Sequence, residues 1–228
     1  MRHWFLAVMA VGATIVAAAS PAHAQREYPV ALTYTAPAEV QRGEPSITLG
    51  AVVDEREHEI YTLGSIRGGF GNPLKTLVTE TPVAEVFGVA LRDGLAARNL
   101  LSDAGAYRME VRMVRFDCNQ LYPREAHAEI AVRLVDAQSG AELFQNVYTS
   151  GEARGGGPSG GIFAPIEPLR AITNLVMQQV IDRALDDPAF RAALANASAT
   201  APAEAAPAEA PAEANPAPET DTGPGSAN

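Results

Sequence analysis

The chain has 228 residues, a formal net charge of −10 and a single cysteine. An acidic balance argues against nucleic-acid binding, because that function requires a basic face. One cysteine cannot form an internal disulfide, and we therefore expect packing alone to hold the fold together.

The first 24 residues have the pattern of a secretory signal peptide. Arg2 supplies a positive charge, residues 5–19 form an apolar run, and residues 22–24 (Ala-His-Ala) form a small-x-small cleavage site. The run is shorter than the roughly 20 apolar residues that a membrane-spanning helix needs. We therefore predict cleavage after Ala24 and a periplasmic protein without a transmembrane span, with an uncleaved N-terminal anchor as the alternative. No cysteine lies near the cleavage site, so the usual bacterial lipid anchor is not expected.

The first half of the chain predicts an extended lead-in, one strand, a long loop and one helix. The lead-in covers residues 25–45 and shows little periodicity. Residues 47–54 are mostly apolar and predict a central strand. A glycine-rich loop is predicted over 55–80. The Thr-Pro pair at 81–82 then predicts a helix with the threonine as N-cap, which ends near Arg98 with that arginine away from its buried face.

The second half predicts three strands and a long helix. Residues 107–118, 126–134 and 142–151 alternate apolar and polar side chains, as antiparallel strands with one wet face do. A change of phase predicts a bulge near Met113. A helix begins at Pro168. The order β-α-β-β-β-α predicts an α+β fold, with a four-stranded mainly antiparallel sheet and two helices packed on one face.

We place the folded α+β domain at residues 46–196. Residues 197–228 are rich in alanine, proline and glutamate and contain no apolar residue larger than alanine. Such a segment cannot bury enough surface to offset its ordering entropy, so we predict a disordered tail. The tail is either inert solubilising sequence or a tether that reaches a partner.

The glycine-rich stretch 63–75 has some features of a phosphate-binding loop. Gly64 and Gly69 have the spacing of that motif, but Phe70 stands where its lysine is needed. The predicted helix also begins too far downstream to point its N-terminus at a phosphate. We therefore predict no nucleotide and no cofactor here.

Catalytic and metal sites are not predicted either. His58, His127 and Cys118 are too far apart for a zinc site. Cys118 falls in the apolar phase of its strand and His127 in the polar phase of the next, so we expect them to face apart rather than form a nucleophile–base pair. The acidic run 54–59 matches no cation-binding loop.

Asp54 ends the first predicted strand, and two arginines follow it closely. Because the guanidinium fork matches a carboxylate, we expect Asp54 to pair with Arg56 or Arg67 and so hold the loop against the strand end. Contact with a ligand is the alternative for these residues.

A strand ending in Asp-x-Arg, followed by Leu-Gly-x-x-Arg-Gly-Gly, forms a recognisable motif. Its residues are Asp54, Arg56, Leu63, Gly64, Arg67, Gly68 and Gly69. Together with the Leu-x-x-Arg end of the first helix, the motif resembles the YajG family of bacterial lipoproteins over residues 47–185. The resemblance implies an envelope location and no established enzymatic activity, and it supplies no ligand. We expect the motif residues to shape the loop and to be the candidates for contact with a partner.

Two functions fit this sequence. The first is a non-catalytic exported accessory or scaffold module, which docks onto an envelope assembly through its open sheet face or its glycine loops. Its partner would be an envelope protein, with peripheral association with the outer membrane left open. The alternative is a periplasmic binding protein for a small or lipidic ligand. Hydrophobic density on the outward sheet face would favour a protein or lipid partner there, whereas charge would favour solvent or a polar partner.

Overall fold

The computed structural model of the protein describes residues 26–155 and 163–200. The predicted signal peptide and the predicted tail beyond residue 200 lie outside these ranges. The described elements are β1 Arg26–Pro29, β2 Ile47–Asp54, β3 Thr62–Arg67, β4 Pro73–Val78, α1 Val83–Ala97, β5 Tyr107–Gln120, β6 Arg124–Asp136, β7 Glu142–Arg154, α2 Glu167–Leu185 and α3 Pro188–Thr200. None of these helices combines the length and the apolar composition of a membrane span.

All the described strands belong to one mixed sheet, in the order β1-β4-β3-β5-β6-β7, with β2 also paired to β5. The first half of the long strand β5 pairs in parallel with β2, and its second half pairs in parallel with β3. On its other side β5 pairs with β6, and β6 pairs with β7, both antiparallel. One edge of β5 therefore changes partner halfway along its length.

The predicted four-stranded, mainly antiparallel sheet with two helices is wrong, because the described residues form a seven-stranded mixed sheet with three helices. The predicted glycine-rich loop contains the hairpin β3–β4, and the predicted lead-in contains β1. Both hairpin strands are only six residues long, and Gly64 interrupts the apolar pattern of the first. The third helix, α3, extends past residue 197, where the tail was predicted to begin.

The core lies between the helices and one face of the sheet. Alternate residues of β5 and β6 point into it, as the sequence pattern predicts. The rings of Phe87 in α1 and Phe116 in β5 meet edge to face with centroids 5.5 Å apart. The predicted bulge in β5 is confirmed by a register shift between Met113 and Arg115. This bulge lies where β5 exchanges β2 for β3.

Arg98, at the end of α1, is fully buried, and the prediction that it lies away from the buried face is wrong. Its Nε and Nη2 donate to Asp186 at 2.7 and 2.5 Å, and Nη2 also donates to Asp182 at 2.9 Å. Its Nη1 donates to the Tyr34 hydroxyl at 2.8 Å. The hydrogen bond from Arg98 is the main reason why the pKa of Asp186 is lowered. Two carboxylates, Asp182 in the last turn of α2 and Asp186 directly after it, thus make it possible to bury this guanidinium, which ties α1 to α2 and the lead-in.

Candidate functional site

Asp54 and Arg56 form an ion pair at the place where β5 changes partner. Arg56 Nε and Nη2 donate to the two carboxylate oxygens of Asp54, each at 2.9 Å. Its Nη1 donates to the carbonyl oxygens of Thr62 at 2.8 Å and Phe116 at 3.1 Å. Burial raises the pKa of Asp54, but the hydrogen bonds from Arg56 outweigh it and the pKa is lowered. The predicted Asp–Arg pair therefore forms with Arg56, which also donates to backbone carbonyl groups of β3 and β5.

Leu63 and Gly64 serve the core and the sheet. Leu63 is fully buried, which leaves no surface for a partner. A Cβ atom on Gly64 would lie 1.7 Å from the carbonyl oxygen of Cys118, because β3 approaches β5 closely at this position. Its φ of 155° is a further reason for glycine here.

The other three motif residues, Arg67, Gly68 and Gly69, lie at the turn between β3 and β4. Arg67 Nε donates to Asn119 Oδ1 at 2.9 Å, and its Nη1 donates to the carbonyl oxygen of Gly71 at 3.0 Å. Gly71 has a φ of 81°, which favours glycine. A Cβ atom on Gly69 would meet nothing within 4 Å. Arg67 thus braces the turn against the end of β5, while Gly69 faces open space.

Several connections of the sheet emerge together at one end. Because β3 and β5 run in parallel, the β3–β4 turn and the β5–β6 turn share this end. β7 also finishes there, since Arg124 of β6 pairs with Arg154. Lys75 Nζ donates to the carbonyl oxygen of Ala164 at 2.7 Å, which places the start of the segment before α2 at the same end. We call this region the loop end and define it as residue 26 together with residues 67–75, 119–125, 152–155 and 163–164.

The three most exposed large apolar side chains among the described residues all lie at the loop end. The relative exposure is 102 % for Phe70, 85 % for Phe163 and 72 % for Tyr122. Leu121, next to Tyr122, is 46 % exposed. Single exposed apolar residues are common on protein surfaces, whereas a group of them marks an interaction site. The sequence interpretation did not select these aromatics, although each lies in a segment rich in glycine or proline, as GGFGNP, LYP and GGIFAP show.

Basic side chains at the loop end bond mainly to neutral oxygens. Arg67 and Lys75 donate to the amide and carbonyl groups described above, and Arg124 Nη2 donates to the carbonyl oxygen of Gly155 at 3.2 Å. None of these three cations forms an ion pair with another described residue. Arg154 lies 3.7 Å from the carboxylate of Glu152. The positive charge of this region is therefore largely uncompensated.

The outer face of the sheet, which no helix covers, is charged but internally paired. Its ion pairs are Arg108–Glu110 at 3.1 Å, Arg112–Glu55 at 3.4 Å, Arg115–Asp117 at 2.5 Å, Arg133–Glu110 at 3.2 Å and Arg133–Glu142 at 2.8 Å. A shallow cavity of ≈ 210 Å³ lies among these side chains and next to Gln145. The face thus has the charge expected for contact with solvent, and each of its four arginines already has a carboxylate partner.

The residues with catalytic side chains do not converge. Cys118 is buried, and burial raises the pKa of its thiol to about 12, so the thiol stays protonated at neutral pH. His127 lies on the opposite face of the sheet, which confirms the prediction that the two face apart. Among the described residues, no group of three or more histidine, cysteine and acidic side chains could hold a metal ion. The glycine-rich turn leads into β4 rather than into a helix, so no helix N-terminus stands behind it for a phosphate.

A larger cavity opens at the opposite end of the sheet from the loop end. Its volume is ≈ 700 Å³, and its lining includes Tyr107, Asp136, Leu143 and Ala197. Of the cavities described, this one offers the ligand-binding alternative the largest volume, whereas the space between helices and sheet is filled by buried side chains.

No protein-family model matches the chain, and no curated protein does. Protein XCC0632 from Xanthomonas campestris, of family DUF330, is similar with a TM-score of 0.54 and 11% identity, covering 76% of this chain and 99% of that chain. Hypothetical protein CT253 from Chlamydia trachomatis has a TM-score of 0.37 and 11% identity, covering 68% and 96% of the two chains. Lipoprotein GNA1162 from Neisseria meningitidis has a TM-score of 0.27 and 13% identity, covering 60% and 97%.

The first of these likenesses shows that the chain shares its fold with a bacterial DUF330 protein. The other two are too low in TM-score to carry an argument. Membership of the YajG family specifically stays a prediction. The shared architecture is thus shown at 11% sequence identity, and it shows the fold alone.

Proposed function

We propose that this protein is a non-catalytic exported module of the cell envelope, an accessory or scaffold part that docks onto an envelope assembly through its loop end. The observation that carries the proposal is the position of Phe70, Tyr122 and Phe163, whose exposed rings gather at that end. A protein that shows its largest apolar groups in one place gains free energy when a partner covers them, at about 1.5–3 kcal/mol for each fully buried side chain.

The way in which the turn is supported favours a binding surface. Arg67 braces the β3–β4 turn against β5, and Asp54 and Arg56 fix the strand that leads into it. Such bracing holds an exposed ring in place before a partner arrives, which lowers the entropy cost of binding. The family motif would thus act on docking mainly through the shape of the turn.

Export and the absence of catalysis are parts of the same proposal. The pattern of residues 1–24 supports export to the periplasm with cleavage after Ala24. The buried thiol of Cys118 and its separation from His127 support a non-catalytic role. The outer face, with its paired charges, gives a partner few free groups to recognise.

Crosslinking in living cells tests the proposal. A photoreactive amino acid is placed at Phe70 in one protein and at Val147, which is 49 % exposed on the outer face, in a matched control. We expect specific envelope components to be captured from position 70 and not from position 147. Equal capture from both positions, or none from position 70, would contradict docking through the loop end.

Two further measurements test the rest of the proposal. Cell fractionation should find a shortened product in the periplasm or envelope, and a full-length cytoplasmic product would overturn the export step. Native mass spectrometry of the purified protein should show no tightly bound small molecule. If it shows one while position 70 captures nothing, the binding-protein alternative replaces the docking module.

A further inference from the structure

We infer that the loop end contacts the surface of a lipid bilayer that carries anionic headgroups. This inference rests on the proposed function, because it names the material that the docking surface meets. Three independent features support it: the kind of exposed side chain, the local charge, and the point where the chain joins the fold.

The exposed side chains at the loop end are of the kind that lie at membrane interfaces. Phe70 and Tyr122 occupy two neighbouring turns, with Leu121 beside Tyr122. Tyrosine is favoured at the level of lipid headgroups because it has an apolar body and a polar tip, whereas phenylalanine and leucine enter the apolar boundary just beneath. Short turns that carry single aromatics can enter this layer while the backbone of the strands stays hydrogen-bonded outside it.

The charge of the loop end is opposite to that of the whole chain. It contains five basic residues, Arg26, Arg67, Lys75, Arg124 and Arg154. Against them stand two acidic residues, Glu125 and Glu152, so that the balance is +3 in a chain whose formal charge is −10. Since three of the five cations interact only with uncharged groups, their field reaches an approaching anionic surface. An acidic bilayer surface attracts such groups by about 1 kcal/mol per basic residue.

Arg124 has a further unmet bonding capacity. Its Nη2 donates to a backbone carbonyl, but its Nε is buried and has no hydrogen-bond partner within the described part of the chain. Guanidinium groups form paired hydrogen bonds with phosphate oxygens. Because the Nε is buried, a phosphate could pair with this guanidinium only if the side chain turned outward, so Arg124 supports the inference through its charge rather than through a preformed site.

The chain joins the fold at the loop end. β1 pairs in parallel with β4, and Arg26 stands opposite Lys75. Only residues 20–25 separate Arg26 from the apolar run 5–19, and six residues span at most about 20 Å. While that run is in a membrane, before cleavage or as a retained anchor, the loop end is therefore held within about 20 Å of the bilayer.

Binding to vesicles tests the inference. The protein is produced from the full coding sequence, purified as the cell processes it, and sedimented with vesicles of phosphatidylglycerol and phosphatidylcholine or of phosphatidylcholine alone. We expect binding to the mixed, anionic vesicles and at least about tenfold weaker binding to the neutral ones. Binding should fall as salt rises from about 0.1 M to about 1 M, because screening shortens the range of the attraction.

Variants assign that binding to the loop end. Phe70→Ser combined with Tyr122→Ser should weaken binding to anionic vesicles about tenfold or more, and Arg154→Gln should weaken it about fivefold. The matched controls on the outer face, Val147→Ser and Arg133→Gln, should bind as the unmodified protein does. All these side chains are substantially exposed, and circular dichroism checks that each variant is folded.

The outcomes separate this inference from the proposed function. If the unmodified protein binds neither vesicle, or if outer-face variants lose as much binding as loop-end variants, the bilayer inference is wrong. If vesicle binding is absent while a photoreactive group at position 70 captures one envelope protein, the inference fails and the docking module stands. If position 70 captures nothing and no vesicle is bound, both fail.

Discussion

Basic side chains have different partners at the loop end and on the outer face of the sheet. On the outer face, Arg108, Arg112, Arg115 and Arg133 each lie next to a carboxylate. At the loop end, Arg67, Lys75 and Arg124 bond to neutral oxygens. The first surface neutralises itself, whereas the second keeps its charge and adds exposed aromatic rings. The partner of a charged side chain, rather than the side chain alone, thus distinguishes a solvated face from a docking surface.

We expect the largest change in stability from a substitution at Gly64, where β3 lies against β5. Gly64→Ala should destabilise the protein by about 4 kcal/mol or more, because the new Cβ meets the Cys118 carbonyl oxygen at 1.7 Å and the backbone has to move. Gly69→Ala is the matched control, since nothing lies within 4 Å of its Cβ. Urea denaturation measures both free energies of unfolding. Similar values for the two variants would show that β3 does not approach β5 as described.

Replacing a buried arginine should reduce the stability of the protein more than replacing an exposed one. Arg56→Ala should cost about 3 kcal/mol at pH 7, because it removes two side-chain hydrogen bonds from the Asp54 carboxylate and the side-chain donor to the carbonyl oxygens of Thr62 and Phe116. Arg67→Ala, the exposed control, should cost about 1 kcal/mol or less. Chemical denaturation at pH 7 compares the two, and equal losses would contradict the structural role of the Asp54–Arg56 pair.

The same pair predicts a pH dependence. Arg56 lowers the pKa of Asp54 in the folded protein. The contribution of the ionised Asp54 to stability is therefore complete above its pKa in the unfolded chain, about 3.9, and is lost as pH falls through its pKa in the folded protein. The difference in unfolding free energy between the unmodified protein and Arg56→Ala should therefore shrink below about pH 4. A difference that stays constant from pH 7 to pH 3 would contradict this account.

Removing ion pairs from the outer face should reduce stability by a smaller amount. Arg133→Ala removes two ion pairs, with Glu110 and Glu142, but its side chain is 43 % exposed and such pairs contribute little. We expect a loss of stability well below that of Arg56→Ala, and one that decreases further in high salt. A loss as large as that of Arg56→Ala would show that the outer-face network is a structural element rather than a solvated surface.

Phe70→Ser should have the smallest effect on stability, although Phe70 is the residue from which we expect the largest contribution to docking. Phe70→Ser should leave the unfolding free energy within about 0.5 kcal/mol of the original value, because the ring is fully exposed. Thermal denaturation checks this. A clear loss of stability would mean that Phe70 packs against the protein, and its role as a docking group would then be in doubt.

Local patterns predicted much of this fold. The segment 47–54 coincides with β2, and alternation located β5 to β7 because it reports which face of each strand is buried. The Asp54–Arg56 pair was also predictable, since its members are two residues apart. By contrast, β3 was predicted as part of a loop because it contains Gly64. The glycine is needed there because β3 approaches β5 closely, and a contact between distant segments leaves no local pattern in the sequence.

Contacts between distant residues could not be predicted in the same way. The carboxylates that bury Arg98 lie 84 and 88 residues away, and nothing near Arg98 in sequence indicates them. The gathering of Phe70 and Tyr122 depends on the parallel register of β3 and β5. Their one local signal, an aromatic ring within a glycine- or proline-rich turn, identifies each residue but not the cluster.

Tryptophan fluorescence tests most directly whether the loop end, and not the outer face, is the docking surface. Trp4, the chain's single tryptophan, lies in the predicted signal peptide, so Phe70→Trp and Val147→Trp each give the processed protein one tryptophan reporter. On addition of anionic vesicles that carry a lipid quencher, we expect a blue shift and quenching for position 70 and no change for position 147. A response from position 147 alone, or from neither position, would contradict the account.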